Sequence, residues 1–80
     1  MSAQNLTHDM IDPQYVQIRR KEAAFIVGVS IAEFDKLRKV DPACPKGFRN
    51  GKGRNSPVMF RLSDVYRYSE HRMRQSESVA

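Results

Sequence analysis

Lysine and arginine are missing from the first 18 positions, tryptophan from the whole chain, and cysteine is reduced to the single Cys44. A lone thiol forms no internal disulfide, so a disulfide-stapled secreted scaffold is excluded and a reducing compartment suits the chain. Apolar runs are equally scarce: the longest, Ala23 to Val27, has five residues, against the roughly 18 to 20 that span a bilayer. No segment has the build of a signal peptide either, and the expected location is cytoplasmic, with no membrane partner. Catalytic furniture is absent as well. One cysteine and two distant histidines, His8 and His71, supply neither a nucleophile with its base nor the four ligands that zinc wants, so no catalytic residue, metal site or cofactor is expected. Gly47 to Gly53 resembles a phosphate loop but has three residues between its first two glycines instead of four, and lacks the terminal Ser or Thr. At 80 residues the chain holds one domain at most.

What the chain does have is uneven positive charge. Fourteen Lys and Arg against nine Asp and Glu give +5, and the excess is confined to the middle. Positions 1–18 carry Asp9 and Asp12, positions 19–61 have a net charge of +7, and positions 62–80 balance to zero. Such a centre favours polyanions, nucleic acid before an anionic membrane surface.

The local signals predict a helix over Arg20 to Val27, stopped by Gly28, where a helix end wants a left-handed residue. Ser30-Ile31-Ala32-Glu33 fits a capping box that opens a second helix, with Ile31, Phe34 and Leu37 at helical spacing and Asp41-Pro42 as the stop. Phe48 and Val58-Met59-Phe60 favour strands, separated by a turn-forming stretch with a basic tip. Ser63 then caps a last helix that frays after Met73 or Arg74. The fold class is therefore α+β, a winged helix-turn-helix of three short helices with a two-stranded β-hairpin wing. It occupies 16–74, between a flexible leader (1–15) and a disordered tail (75–80).

Ala24, Gly28, Val29, Phe34 and Leu37 fill the slots of a helix-turn-helix: a small residue for close approach, a glycine in the turn, and apolar anchors for the second helix. The outward positions of that helix are then Ser30, Ile31, Ala32, Asp35, Lys36 and Lys39. Ile31 and Ala32 suit thymine methyls, Lys36 a guanine edge, and Asp35 only a donor such as cytosine. From Lys46 to Arg61 there are five cations and no anion. Arg49, Lys52, Arg54 and Asn55 of this wing, with Arg20 at the start of the first helix, are the expected backbone contacts, giving salt-dependent binding to double-stranded DNA. The competing reading is a protein-interaction adaptor whose helical bundle docks a phage or host partner. Single-stranded RNA binding calls for exposed aromatics, whereas Phe25, Phe34, Phe48 and Phe60 stand at positions expected to be core, with Tyr66 exposed.

Arg20-Lys21-Glu22-Ala23-Ala24, Gly28-Val29-Ser30, Pro45-Lys46 with Phe48-Arg49, and Phe60-Arg61-Leu62-Ser63-Asp64-Val65, in this order, resemble the AlpA family of small phage and prophage regulators. Its fold is a MerR-like winged helix also used by excisionases. The resemblance covers about Val16 to Arg72. It implies a DNA-binding recombination directionality factor (excisionase), a transcriptional regulator, or both, with an integrase or further copies of the chain on DNA as additional partners. The chain departs from the family pattern at Arg19, where Ser or Thr is common and which cannot accept a capping hydrogen bond. It departs again at Ile31 and Asp35, and in a longer wing.

Overall fold

The computed structural model describes residues 11–53 and 55–79. A 3-10 turn, Pro13–Tyr15, leads into strand β1 (Gln17–Arg19), helices α1 (Arg20–Val27) and α2 (Ile31–Val40), strands β2 (Phe48–Arg49) and β3 (Val58–Arg61), and helix α3 (Leu62–Val79). Among these residues the chain is α+β, three helices with a three-stranded antiparallel sheet in the order β1-β3-β2.

Helices α1 and α2 begin and end where the local signals put them. Gly28 takes φ +86°, and its neighbour's amide closes the turn: Val29 N donates to Ala24 O at 3.0 Å and Gly28 N to Phe25 O at 3.1 Å, the paired bonds of a left-handed helix stop. Ser30 Oγ accepts from Glu33 N at 3.0 Å and so caps α2, while Arg19 precedes α1 without a side-chain cap. Ala23 and Ala24 are fully buried, which brings α1 close to both other helices. Phe34 from α2 meets Phe60 from β3 edge to face, ring centres 5.3 Å apart, at the middle of the core.

Five expectations need correction. The sheet has a third strand: β1 pairs with β3 in the register Gln17↔Arg61, Ile18↔Phe60, Arg19↔Met59. Three residues with one apolar side chain carry too little local signal, and only β3 makes them a strand. Regular structure also reaches into the expected leader, because Asp12 caps the Pro13 turn, accepting from Gln14 N at 3.0 Å; positions 1–10 lie outside the described residues.

Helix α3 follows β3 with no intervening residue, so Ser63 lies inside its first turn instead of capping it. It continues to Val79, through most of the segment expected to be a disordered tail. No glycine or proline follows Pro57, and the ion pair of Glu70 with Arg74 at 2.8 Å supports the solvated turns. Finally, Phe25 is 83% exposed and Phe48 45% exposed, against their expected core positions, while Tyr66 is exposed as expected. On the short α1 the alanine pair takes the inward face and turns Phe25 out. On β2, Phe48 shares the outer row with Met59 and Arg19.

One polar tie fixes α3 against the end of α2. Tyr68, 2% exposed, donates its hydroxyl to Asp41 Oδ2 at 2.7 Å, and Asp41 Oδ1 accepts from Ala43 N. These two donors hold the Asp41 carboxyl below its usual range, the phenol contributing most. Burial, then the Asp41 bond, pushes the Tyr68 phenol up to about 12.

Candidate functional site

The two helices and the β2–β3 hairpin enclose a basic groove. One part, about 420 Å³, is lined by Arg20, Asp35, Arg38, Lys39 and Lys46. The adjoining part, about 500 Å³, is lined by Arg19, Arg20, Lys21, Ile31, Arg38, Pro57 and Val58. Arg20 and Arg38 belong to both, and Asp35 is the one carboxylate among six cations.

Each side chain reaches the groove for a local reason. Arg20 follows the extended Arg19 at the first position of α1 and extends to Asp35 on α2, Nη1 to Oδ2, at 2.7 Å. Arg38 lies one turn after Asp35 and contacts it at 3.4 Å, while its Nη2 donates to the Lys46 carbonyl at 2.9 Å. In return Lys46 Nζ donates to the Arg38 carbonyl. The Arg38 guanidinium also covers the Phe60 ring at 5.0 Å, and its Nε is buried with no partner among the described residues. Arg38 is thus a strut: it fastens the entry of the hairpin to α2 and sets the width of the groove. Arg20, half exposed, keeps donors free on its solvent side, because one carboxylate cannot use all five.

The sequence-predicted residues separate into distinct places. Ser30, Ala32, Lys36 and Lys39 are exposed on α2, and Lys39 alone of these also lines the groove. Asp35 is partly buried and engaged by two guanidinium groups, which leaves less of its carboxylate for a base. Ile31 is likewise half-buried against the core, leaving little of its side chain for a thymine methyl. Both placements share a cause: these residues fall on the flank of α2 that faces Arg20 and the hairpin. On the hairpin, Arg49 Nη1 donates across to the Ser56 carbonyl at 2.8 Å, and Lys52 and Asn55 are exposed. Arg54 lies outside the described residues.

Sequence reasoning missed Arg38 and Lys46 as groove residues. For Arg38 the only signal was the Asp35 to Arg38 spacing, which also fits an ordinary helix-surface pair, and for Lys46 only its place at the start of the cation-rich stretch. Glu33 and Val40 share the exposed stripe of α2 and were not singled out.

Chemically, the groove can hold anionic groups in a row: Arg20, Arg38 and Lys46 are fixed by ion pairs and backbone bonds, and its walls are short of carboxylates. The thiol of Cys44 is buried, and burial raises its pKa, which suits a packed side chain better than a nucleophile. Among the described residues, no group of three or more His, Cys, Asp or Glu is placed to hold a metal ion, and no helix is long and apolar enough to cross a membrane. No protein-family model matches this chain, and neither a curated protein nor a solved structure matches it.

Proposed function

We propose that the chain is a sequence-specific double-stranded DNA-binding protein with a winged helix-turn-helix fold. Helix α2 enters the major groove, and the β2–β3 hairpin is the wing that lies along the phosphate backbone. The observation that carries this reading is the groove of six cations running beside the exposed stripe of α2. Arg19, Arg20, Lys21, Lys39 and Lys46 then take phosphates, Lys36 reaches base edges, and Lys52 extends the backbone contact. Only a few side chains of one ten-residue helix face outward, so a single copy reads few base pairs. Specific affinity then needs several copies on adjacent sites, or bending of the DNA. The biological role that fits best is control of a mobile element, as an excisionase, a transcriptional regulator, or both, in line with the resemblance to the AlpA family.

Fluorescence anisotropy against a generic duplex at two salt concentrations tests this reading. Binding is expected to weaken steeply with salt, by about 0.9 log units per log unit of salt for each phosphate contact. Removing Lys39 and Lys52 together lowers affinity for every duplex alike and reduces the slope by about 2, while Lys36→Ala changes sequence preference. A wild-type chain that ignores duplex DNA at low salt refutes it. In that case the adaptor reading gains, because Phe25 stands 83% exposed beside Arg19, Lys21 and Glu22, as a docking residue does.

A further inference from the structure

The side of the sheet facing away from the helices carries a second kind of surface. Ile18 and Phe60 pair on the inner face, so the next positions along each strand, Gln17 with Arg61 and the row Arg19, Met59 and Phe48, point outward. At one end of this face lies a depression of about 230 Å³ lined by Gln14, Tyr15, Val16, Gln17, Phe48 and Arg61. Two aromatic rings, two carboxamides and a guanidinium meet there, with no carboxylate in the lining.

Tyr15 is 72% exposed, yet it is not on a loose segment. It ends a 3-10 turn that starts with proline, its amide donates to Asp12 O at 2.9 Å, and the next residue is buried and accepts from Leu62 N at 2.9 Å. The backbone that carries the ring is therefore fixed, which lowers the entropic cost for any ligand that stacks on it. Phe48 is fixed by its pairing with Met59. A groove for an apolar helix would be lined by aliphatic side chains. Here flat rings are combined with amides that both donate and accept, Gln17 and also Gln14, one of whose Nε2 protons already goes to Asp12 Oδ2 at 3.3 Å, which is the chemistry that takes an unstacked nucleobase. Arg61, about half exposed, is close enough to take the adjoining phosphate; its carboxylate neighbour Asp64 is 4.0 Å away and also paired with Arg67.

We propose that the outer face of the sheet binds single-stranded DNA, with a base stacked at Tyr15 and Phe48, its edge read by Gln14 and Gln17, and its phosphate on Arg61. A duplex cannot use this surface, since its base faces are already stacked. The choice of DNA over RNA rests on the duplex-binding reading above. The surface itself does not, as it shares no lining residue with the groove. Together the two faces fit a protein that holds duplex and locally melted DNA at once.

The test uses the full chain and a thymidine oligonucleotide of about 12 nucleotides, within the span of one such site. The chain has three tyrosines and no tryptophan, so stacking on Tyr15 is read directly as quenched tyrosine fluorescence. Wild type is expected to bind with quenching. Tyr15→Ala is expected to bind about 5- to 150-fold more weakly, and Tyr15→Phe to retain affinity while losing most of the quench. Phe48→Leu, which keeps the strand apolar, is expected to weaken oligonucleotide binding in parallel. Duplex affinity of the two Tyr15 variants stays at the wild-type level. The inference is overturned if wild type does not bind the oligonucleotide, if Tyr15→Ala binds it as wild type does, or if the uridine oligonucleotide is bound and the thymidine one is not. Failure of the duplex reading shows separately, as absent salt-dependent duplex binding by wild type.

Discussion

Two glycines share one backbone conformation but differ in their surroundings, which isolates the effect of packing. Gly28 and Gly47 have φ of +86° and +85°. A Cβ on Gly28 meets nothing within 4 Å, whereas one on Gly47 sits 2.7 Å from Val58 Cγ1 and 2.8 Å from Phe60 Cε2. Phe60 cannot retreat, because it is fully buried between Phe34 and the Arg38 guanidinium. Placing an L-residue in the left-handed region costs about 1–2 kcal/mol, and the stiffer unfolded chain returns about 0.4–1 kcal/mol of that. Gly28→Ala is therefore expected to lose about 1 kcal/mol. Gly47→Ala bears the same strain plus about 1–3 kcal/mol of overpacking. A domain of this size has about 4–12 kcal/mol in total, and each kcal/mol moves Tm by about 4–8 °C. Thermal and urea unfolding followed by far-UV circular dichroism should rank the variants wild type, Gly28→Ala, Gly47→Ala, with Gly47→Ala lower by about 4–24 °C than Gly28→Ala. Duplex affinity should fall only for Gly47→Ala, whose neighbour Lys46 anchors the hairpin on Arg38. Equal losses, or a larger loss at Gly28, would show that the hairpin does not seat on Phe60 as described.

The Tyr68–Asp41 tie makes stability sensitive to alkali. The folded phenol is raised from 10.0 to about 12, so its contribution is complete below pH 10 and is lost as pH rises from there through about 12. Two pH units correspond to about 3 kcal/mol at a site this buried. Urea midpoints across that range should fall for wild type but not for Tyr68→Phe, and parallel curves for the two would count against the tie. On α2, Ser30→Ala is expected to lose about 1 kcal/mol by urea unfolding and Ser30→Asp to restore most of it, since either oxygen can accept from Glu33 N. A Ser30→Ala variant with the wild-type midpoint would show the cap to be irrelevant.

Helices α1 and α2 were readable in the sequence because their limits are set by local chemistry: a glycine that tolerates positive φ, a serine that caps, and a proline that stops. The basic hairpin was readable for the same reason, since turn residues and strand formers announce themselves within a few positions. What local chemistry could not supply was anything decided by a distant partner. Gln17–Arg19 becomes a strand only through the backbone of β3, and Phe25 and Phe48 turn outward only because Ala23, Ala24 and Phe60 have already filled the interior.

The cation-rich centre, and with it the expectation of a polyanionic partner, is a property of the sequence alone, because charge is counted before anything folds. Which cations act together is a property of the tertiary structure. Arg20 and Arg38 are 18 positions apart and become neighbours through one carboxylate, Asp35, whose side chain, outward on an isolated helix, is engaged once Arg20 is packed against it. Side-chain direction at the flank of a helix depends on what lies beside that flank, and no stretch of α2 read by itself contains that information.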